Sequence, residues 1–183
     1  MSARVLPFAL VAPQRPEGVC RYCEAPTPKG RTRWCSDACN RAVRMLTHAA
    51  TQRRAVEARD HGVCALCGLD TDALERAFRE ACYAAILPET SWFLMGRSNP
   101  KMRPVFERLD ALGFDGERSL WDADHVVPVV EGGGVRPGMT PDEVLANLRT
   151  LCVPCHKAET RALAARRAKA RRGASPALPG VSP

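Results

Sequence analysis

The cysteines constrain the fold of this chain more than any other feature of its sequence. Eight of the nine cysteines fall into four close pairs. These pairs are Cys20/Cys23, Cys35/Cys39, Cys64/Cys67 and Cys152/Cys155. Such close pairing is typical of zinc ligands and not of a disulfide framework. The sequence therefore predicts two structural Zn²⁺ sites and a reducing, cytoplasmic environment.

Length and charge narrow the class of protein further. A chain of 183 residues has room for one ordinary domain, or for two small domains that need metal ions for stability. The net charge of +7 favours a polyanionic partner, either nucleic acid or an acidic surface, although a solvated basic surface would give the same value. The apolar run from Val5 to Ala12 is short and is broken by Pro7, so we expect neither a signal peptide nor membrane association. No feature of the sequence indicates an oligomeric state.

The first two cysteine pairs predict a small zinc finger at residues 19–40, after a flexible, proline-containing arm at residues 1–18. Eleven residues separate Cys23 from Cys35, which is enough for a hairpin, and residues 31–34 alternate like a strand. Ser36 and Asp37 suit the start of a helix that would carry the second pair. This arrangement resembles a treble clef. Its role is either purely structural or includes docking through cations beside an aromatic side chain. The side chains for such docking are Arg21, Lys29, Arg31, Arg33 and Trp34.

Residues 41–61 predict one basic connecting helix, because no proline or glycine interrupts the sequence between Asn40 and Asp60. We expect His61 and Gly62 to end it. The helix could follow a phosphate backbone or serve as a solvated spacer. His48 and His61 lie outside any metal-ligand spacing, so both are interpreted as surface or packing residues.

The pair Cys64/Cys67 has no partner pair nearby in the sequence. The remaining pair, Cys152/Cys155, follows after 84 residues. If the four cysteines bind one zinc ion, the chain between them is a loop that the metal closes.

Residues 71–113 within this loop predict a helical insertion. A first helix should run from Thr71 to Leu87, with Thr71 or Asp72 as its cap, and a second from Val105 to Leu112. We interpret Cys82, on the apolar face of the first helix, as a small buried hydrophobe.

The segment from Leu120 to His156 carries the residues suited to chemistry. Its β-branched residues predict a strand from Leu120 to Val130, and Gly132 to Gly134 allow the chain to reverse. A returning strand near residues 148–151 and a helix from about Pro154 would place His156 in the first helical turn. Asp124 and His125 point to opposite faces of a regular strand, so both can serve one site only where the strand ends or is distorted.

Two motifs in this segment resemble the HNH endonucleases of the ββα-metal class in their zinc-bound form. The motifs are Trp121-Asp-Ala-Asp-His-Val-Val-Pro128 and Asn147-Leu-Arg-Thr-Leu-Cys-Val-Pro-Cys-His156, separated by the glycine turn. Together with Cys64-Ala-Leu-Cys-Gly-Leu-Asp70, they are similar to the nuclease module of annealing helicases that cut branched DNA. The resemblance covers about residues 60–160. It implies an α+β fold, in which a zinc-stabilised ββα domain at residues 62–162 contains the helical insertion and follows the small Cys₄ finger.

The resemblance also implies roles for individual residues. His125 would be the general base that activates a water molecule, and Asn147 would hold the loop and orient that base. Asp124 and His156 would bind a catalytic Mg²⁺ or Mn²⁺ ion, with Asp122 as a possible support. The chain departs from the family pattern in the twelve residues between Gly134 and Asn147 and in Thr160, which is a poor metal ligand.

Residues 163–183 predict a basic extension of the last helix followed by a disordered tail. The residues expected to contact phosphates are Arg161, Arg166, Arg167, Lys169, Arg171 and Arg172, with Arg31 and Arg33 in the finger. Two functions follow from the sequence. The first is a metal-dependent DNA endonuclease, which would be nucleoid-associated when bound to DNA; the second is a non-catalytic zinc module that binds nucleic acid or protein.

Overall fold

The computed structural model describes residues 8–85, 98–116 and 119–173, and its mixture of helices with one small sheet confirms the predicted α+β class. The helices are α1 (Phe8–Val11), α2 (Asp37–Thr47), α3 (Ala49–Asp60), α4 (Thr71–Ala84), α5 (Arg103–Ala111), α6 (Pro141–Ala146) and α7 (Val153–Gly173). The strands are β1 (Trp121–His125) and β2 (Leu148–Cys152). A 3₁₀ turn spans Val129–Glu131. No helix in the described ranges is long and apolar enough to cross a membrane.

The sheet consists of β1 and β2 paired antiparallel, with Trp121 opposite Cys152 and His125 opposite Leu148. The predicted strand to Val130 is wrong beyond His125. The chain leaves the sheet there because the side chain of Asn147 binds the backbone N–H of Val127, and because Pro128 has no N–H to donate. The returning strand and the start of α7 agree with their predictions.

Both cysteine quartets are built in the same way. A tight turn holds the first pair of each quartet, closed by a bridge between Val19 and Pro26 in one case and between Val63 and Asp70 in the other. The second pair lies at the beginning of a helix, α2 or α7. As predicted, the side chain of Ser36 caps α2 by accepting the N–H of Cys39 at 3.2 Å. The predicted strand at residues 31–34 is wrong, because this segment instead forms bends after a turn.

The predicted single connecting helix is two helices that break at His48, whose backbone is extended (φ −130°, ψ 110°). Two side chains make the break favourable by satisfying carbonyl groups at the end of α2. Thr47 Oγ1 donates to the carbonyl of Val43 at 2.7 Å, and Gln52 Nε2 donates to that of Met45 at 2.9 Å. His61 ends α3, as the sequence predicts, and its backbone is left-handed there.

The connecting helices are part of the core and are not a solvated spacer. Met45, Leu46 and Val56 are buried with Trp121 and other apolar residues of the sheet region. Tyr22 of the first finger packs against the same cluster. The boundary between the finger and the following domain therefore crosses a shared apolar core. The domain limits given above stay a prediction.

The insertion packs beside the second quartet. Leu74, Phe78 and Cys82 of α4 are buried with Phe106 of α5 and Leu151 of β2, and the two phenyl rings meet edge to face at 5.7 Å. Cys82 is fully buried, which agrees with its interpretation as a hydrophobe.

Of the remaining predictions, the cap of α4 is wrong, the basic extension of the last helix agrees with the structure, and the others lie outside the described residues. The cap of α4 is Asp70, which accepts the N–H of Ala73, because Thr71 Oγ1 is used to bind the carbonyl of Gly62. The basic extension forms one continuous helix with α7 up to Gly173. The predicted helical residues 86 and 87, the arm residues 1–7 and the tail residues 174–183 lie outside the described residues.

The end of α3 is fixed to β2 through charged side chains. Asp60 Oδ2 accepts both the N–H and the hydroxyl of Thr150 at 3.0 Å, and Asp60 also pairs with Arg59. Arg59 in turn donates to the carbonyls of Leu145 and Leu148. The hydrogen bond from Arg59 holds the pKa of Asp60 below its usual value, with further help from Thr150 and against the effect of burial.

Asp60→Asn should destabilise the protein at neutral pH by about 1 to 3 kcal/mol, because it removes the charge that these donors stabilise. The lowered pKa means that the carboxylate stabilises the fold above the unfolded pKa of about 3.9, and that this stabilisation disappears as the pH falls through the folded value. Denaturant unfolding from pH 7 to pH 3 should show the two proteins converge below about pH 4. A stability difference that is independent of pH would contradict this role, and the exposed Glu80→Gln serves as the control.

Candidate active site

The eight paired cysteines form two compact groups of thiols. In each group, Cys20/Cys23/Cys35/Cys39 and Cys64/Cys67/Cys152/Cys155, all four sulfur atoms lie within 4.8 Å of one another. The sulfur of Cys35 lies 3.4 Å from those of Cys23 and Cys39, and Cys67 lies 3.6 Å from Cys152. Sulfur ligands of tetrahedral zinc, each at about 2.3 Å from the metal, lie about 3.8 Å apart. The structure therefore joins the two distant pairs, and both quartets fit Zn²⁺.

The ionisation of these thiols also favours a bound cation. Burial opposes ionisation of Cys64, but backbone N–H groups near it lower its thiol pKa to about 6. Burial, with the neighbouring sulfur atoms, raises the pKa of Cys155 to about 11. Four adjacent thiols cannot all become thiolates unless a positive ion neutralises them, and this is what a Cys₄ zinc site provides.

Two carboxylates of β1 face the imidazole of His156 in the first turn of α7. Asp122 Oδ2 lies 3.0 Å from His156 Nδ1, and Asp124 Oδ1 lies 3.8 Å from His156 Nε2. Asp122 and Asp124 alternate along β1, so both side chains leave the same face of the strand. Asp124 and His156, the predicted metal ligands, are close enough for both to reach one ion at about 2.1 Å each.

Asp122 fixes the orientation of the His156 ring. Its hydrogen bond raises the pKa of His156 and lowers that of Asp122, while burial opposes both shifts. A carboxylate on one nitrogen of an imidazole leaves the other nitrogen as the metal ligand, which is the usual arrangement around metal-binding histidines. The geometry thus favours Asp122 as the partner of His156 and Asp124 as the carboxylate beside Nε2.

His125, the predicted base, lies where β1 ends and lines one cleft with Asp124. This cleft has a volume of about 40 Å³. Its other lining residues are Pro128, Arg149, Glu159, Thr160, Leu163 and Arg166. Burial lowers the pKa of His125, although the nearby Asp124 acts in the opposite direction. The end of the strand therefore brings an acid and a histidine to one site, which a regular strand would not do.

Asn147 holds the loop that follows His125. Its amide nitrogen donates to the carbonyl of Gly133 at 2.6 Å and to that of Val127 at 3.3 Å, and its oxygen accepts the N–H of Val127 at 2.9 Å. Gly133 is required at this contact, because a Cβ atom there would lie 1.6 Å from the carbonyl oxygen of Val127. The intervening segment that departs from the family pattern forms α6, whose last residue directly precedes Asn147.

Three further residues of the site were missed in the sequence. Arg149 contacts Asp124 Oδ2 through Nε at 3.2 Å and Nη2 at 3.1 Å, and Glu159 holds the same Nη2 at 3.1 Å. Arg53 of α3 lies 3.6 Å from Asp122 and covers the ring of Trp121. The strand pairing that places Arg149 opposite Asp124 could have identified Arg149, and Glu159 follows His156 by one helical turn. No local signal marks Arg53, which is far away in sequence.

The predicted phosphate-contacting residues occupy two places in the structure. The cations of α7 are exposed, and Arg166 lies at the cleft with Glu131 at 3.8 Å. Arg31 pairs with Asp37 at 2.8 Å, which partly neutralises the finger, while Arg33 is exposed.

The fold and the site together define a ββα domain with two cysteine quartets and a cleft that is lined by Asp124 and His125. No family model matches the chain. Mouse DNA annealing helicase and endonuclease ZRANB3 is 31% identical over 165 residues, and human ZRANB3 is 28% identical over 163 residues. Each alignment covers 84% of this chain and 14% of the relative.

One solved structure is matched over nearly its whole length. The crystal structure of the human ZRANB3 HNH domain is 30% identical, with 67% of this chain and 95% of that chain covered and a TM-score of 0.38. Because this sequence identity extends over nearly the whole HNH domain, the chain belongs to the HNH endonuclease family. The resemblance drawn from the motifs is confirmed. The chain spans 14% of the length of the curated ZRANB3 relatives.

Asn147→Asp should loosen the loop at residues 126–134, because the new carboxylate can accept the N–H of Val127 but cannot donate to either carbonyl group. Loss of these contacts, at about 1 to 3 kcal/mol, predicts amide exchange in the loop faster by about 10- to 100-fold. Hydrogen exchange followed by mass spectrometry measures this change. Asn99→Asp is the matched control, because Asn99 uses its side-chain oxygen as an acceptor for Lys101 N. Unchanged exchange in the loop of the Asn147 variant would show that Asn147 does not hold it.

Proposed function

We propose that this chain is a metal-dependent endonuclease that hydrolyses phosphodiester bonds in DNA. The observation that carries the proposal is the position of Asp124, which lines one cleft with His125 and lies 3.8 Å from His156 Nε2, close to a cysteine quartet. Membership of the HNH family supports a nuclease function, and the names of the ZRANB3 relatives support DNA as the substrate. Helicase activity is not part of the proposal, since the chain matches only a small part of those relatives.

Asp124 and His156 would hold a Mg²⁺ or Mn²⁺ ion, and the two quartets would hold structural Zn²⁺ ions. The site fits this assignment because Asp124 Oδ1 and His156 Nε2 face each other, while their remaining polar atoms are bound by Arg149 and Asp122. When bound, the catalytic ion supplies positive charge that stabilises a phosphate group under attack.

His125 is the general base in this proposal. Its lowered pKa favours the neutral imidazole near neutral pH, which is the form that can accept a proton from a water molecule. Asn147 acts through the backbone of the loop that follows His125, and it is therefore a positioning residue. Arg166 at the rim of the cleft provides positive charge for a phosphate group.

One side of α7 continues the cleft toward the C-terminus. Glu159, Thr160, Leu163 and Arg166 line the cleft and recur at helical spacing, so they mark the side of α7 that faces it. The same spacing places Arg167 and Arg171 next along this side. Arg161 and Arg172 lie on the opposite side of the helix. We therefore assign phosphate contact to Arg167 and Arg171 ahead of the other exposed cations of α7.

His125→Ala should reduce plasmid nicking in Mg²⁺ or Mn²⁺ by about 100- to 10,000-fold, because a positioned general base contributes about this factor. Gel-based nicking rates measure the loss, and zinc content with thermal unfolding confirms that the variant is folded. His48→Ala is the matched control, since His48 is exposed and does not line the cleft. Nicking by the His125 variant at the wild-type rate would remove His125 from its role. A wild type that binds DNA without cutting it would support the non-catalytic alternative.

The double variant Arg167→Gln/Arg171→Gln should weaken DNA binding and reduce the slope of log K against log salt by about 2, which is one unit for each lost phosphate contact. Fluorescence anisotropy across a salt series, in a His125→Ala background that prevents cleavage, measures the slope. Arg161→Gln/Arg172→Gln removes the same charge from the opposite side of the helix and should leave the slope nearly unchanged. Equal effects of the two double variants would show that α7 contributes only general positive charge.

A further inference from the structure

Arg149 controls which oxygen of Asp124 is free. Both of its contacts with Asp124, from Nε and from Nη2, end on the same atom, Oδ2. The other oxygen, Oδ1, is the one that faces His156 Nε2. The guanidinium group therefore divides the carboxylate into one occupied and one available oxygen.

The position of Arg149 is itself fixed. Its side chain is only 19% exposed, and Nη2 also contacts Glu159 Oε2 at 3.1 Å. Because β2 places Arg149 directly opposite Asp124, the strand pairing brings the guanidinium group to the carboxylate. An ion could reach Oδ2 only by displacing an arginine that is held between two carboxylates.

The number of available oxygens matters for the choice of ion. Ca²⁺ binds six to eight oxygen ligands at about 2.3 to 2.6 Å and often uses both oxygens of a carboxylate. Mg²⁺ needs near-octahedral geometry at about 2.1 Å and is usually bound through one oxygen of each carboxylate together with several waters. A carboxylate that offers one oxygen therefore favours the smaller ions.

We infer that Arg149 is a specificity-determining residue that restricts Asp124 to one metal-binding oxygen and thereby selects small octahedral ions over Ca²⁺. The inference rests on the proposed function, because it assigns the ion to Asp124 and His156. Arg149 acts through Asp124, so it is a positioning residue. The alternative is that Arg149 only stabilises the packing of α7 on the sheet. This role predicts no change in ion preference when Arg149 is replaced.

The test compares two affinities in one protein. The zinc-loaded chain is titrated with Mn²⁺, with the free ion followed by its electron paramagnetic resonance signal, and bound Mn²⁺ is then displaced with Ca²⁺. In Arg149→Gln the ratio of the Ca²⁺ Kd to the Mn²⁺ Kd should fall by about tenfold, a typical size for effects of residues that orient metal ligands. The ratio is informative because loss of a positive charge strengthens the binding of both ions.

Two variants control for charge and geometry. Arg166→Gln removes a positive charge from the same cleft, but Arg166 has no described contact with Asp124, so the ratio should stay at the wild-type value. Arg149→Lys keeps the charge but cannot donate twice to Oδ2, so the ratio should lie between those of the wild type and Arg149→Gln. If Arg149→Gln loses zinc or unfolds, two other single variants decide the question. Both Arg149→Lys and Glu159→Gln, which removes a carboxylate that holds Arg149, should lower the ratio of the two Kd values.

The outcomes separate this inference from the proposed function. A wild-type ratio in folded variants of Arg149, with Mn²⁺ binding and nicking intact in the wild type, overturns the inference and leaves the nuclease proposal in place. If the zinc-loaded wild type binds neither Mn²⁺ nor Ca²⁺ and does not nick DNA, both the inference about Arg149 and the nuclease proposal are overturned.

Discussion

The contact among Cys64, Cys67, Cys152 and Cys155 organises the structure, because it joins two pairs that are 84 residues apart. In a small protein with limited core, a zinc ion bound to these four thiolates would close the long loop, and the entropic cost of closing a loop grows only slowly with its length. The closure places β2 and the start of α7 beside the tight turn that carries Cys64 and Cys67. The residues that follow the last thiol, His156 among them, are then fixed against the paired strand β1.

The candidate site lies next to this cysteine quartet and consists of two facing side chains together with the residues that hold them. Asp124 and His156 face each other, and each has a hydrogen-bonding partner. Arg149 binds the carboxylate of Asp124, and Asp122 binds the imidazole of His156. Ligands held by such partners lose little freedom when an ion binds, which increases affinity and selectivity. The loop after His125 is fixed separately by Asn147, so the proposed base and the proposed metal ligands are positioned by different parts of the chain.

The sequence predicted what spacing and chemistry can encode. The cysteine pairs identified both quartets, and the motifs around Asp124 and His156 identified the family, while the roles of the site residues stay a prediction. The errors arose where a tertiary contact overrides local preference. The valines after His125 favoured a longer strand, but the side chain of Asn147 binds the backbone N–H of Val127 instead. Likewise, α2 ends without a proline or glycine, because the side chain of Gln52 binds the carbonyl of Met45. Arg53 could not be found, because no local pattern relates α3 to Asp122.

The measurement that bears most directly on this account is zinc K-edge X-ray absorption on the purified chain, combined with its zinc content. The quartets predict two zinc ions per chain, each surrounded by four sulfur atoms at about 2.3 Å with no imidazole. This result would leave His156 available for the proposed Mg²⁺ or Mn²⁺ ion. One zinc per chain, or a histidine nitrogen in the zinc coordination shell, would contradict the closure of the loop by four thiols and the site that is built on it.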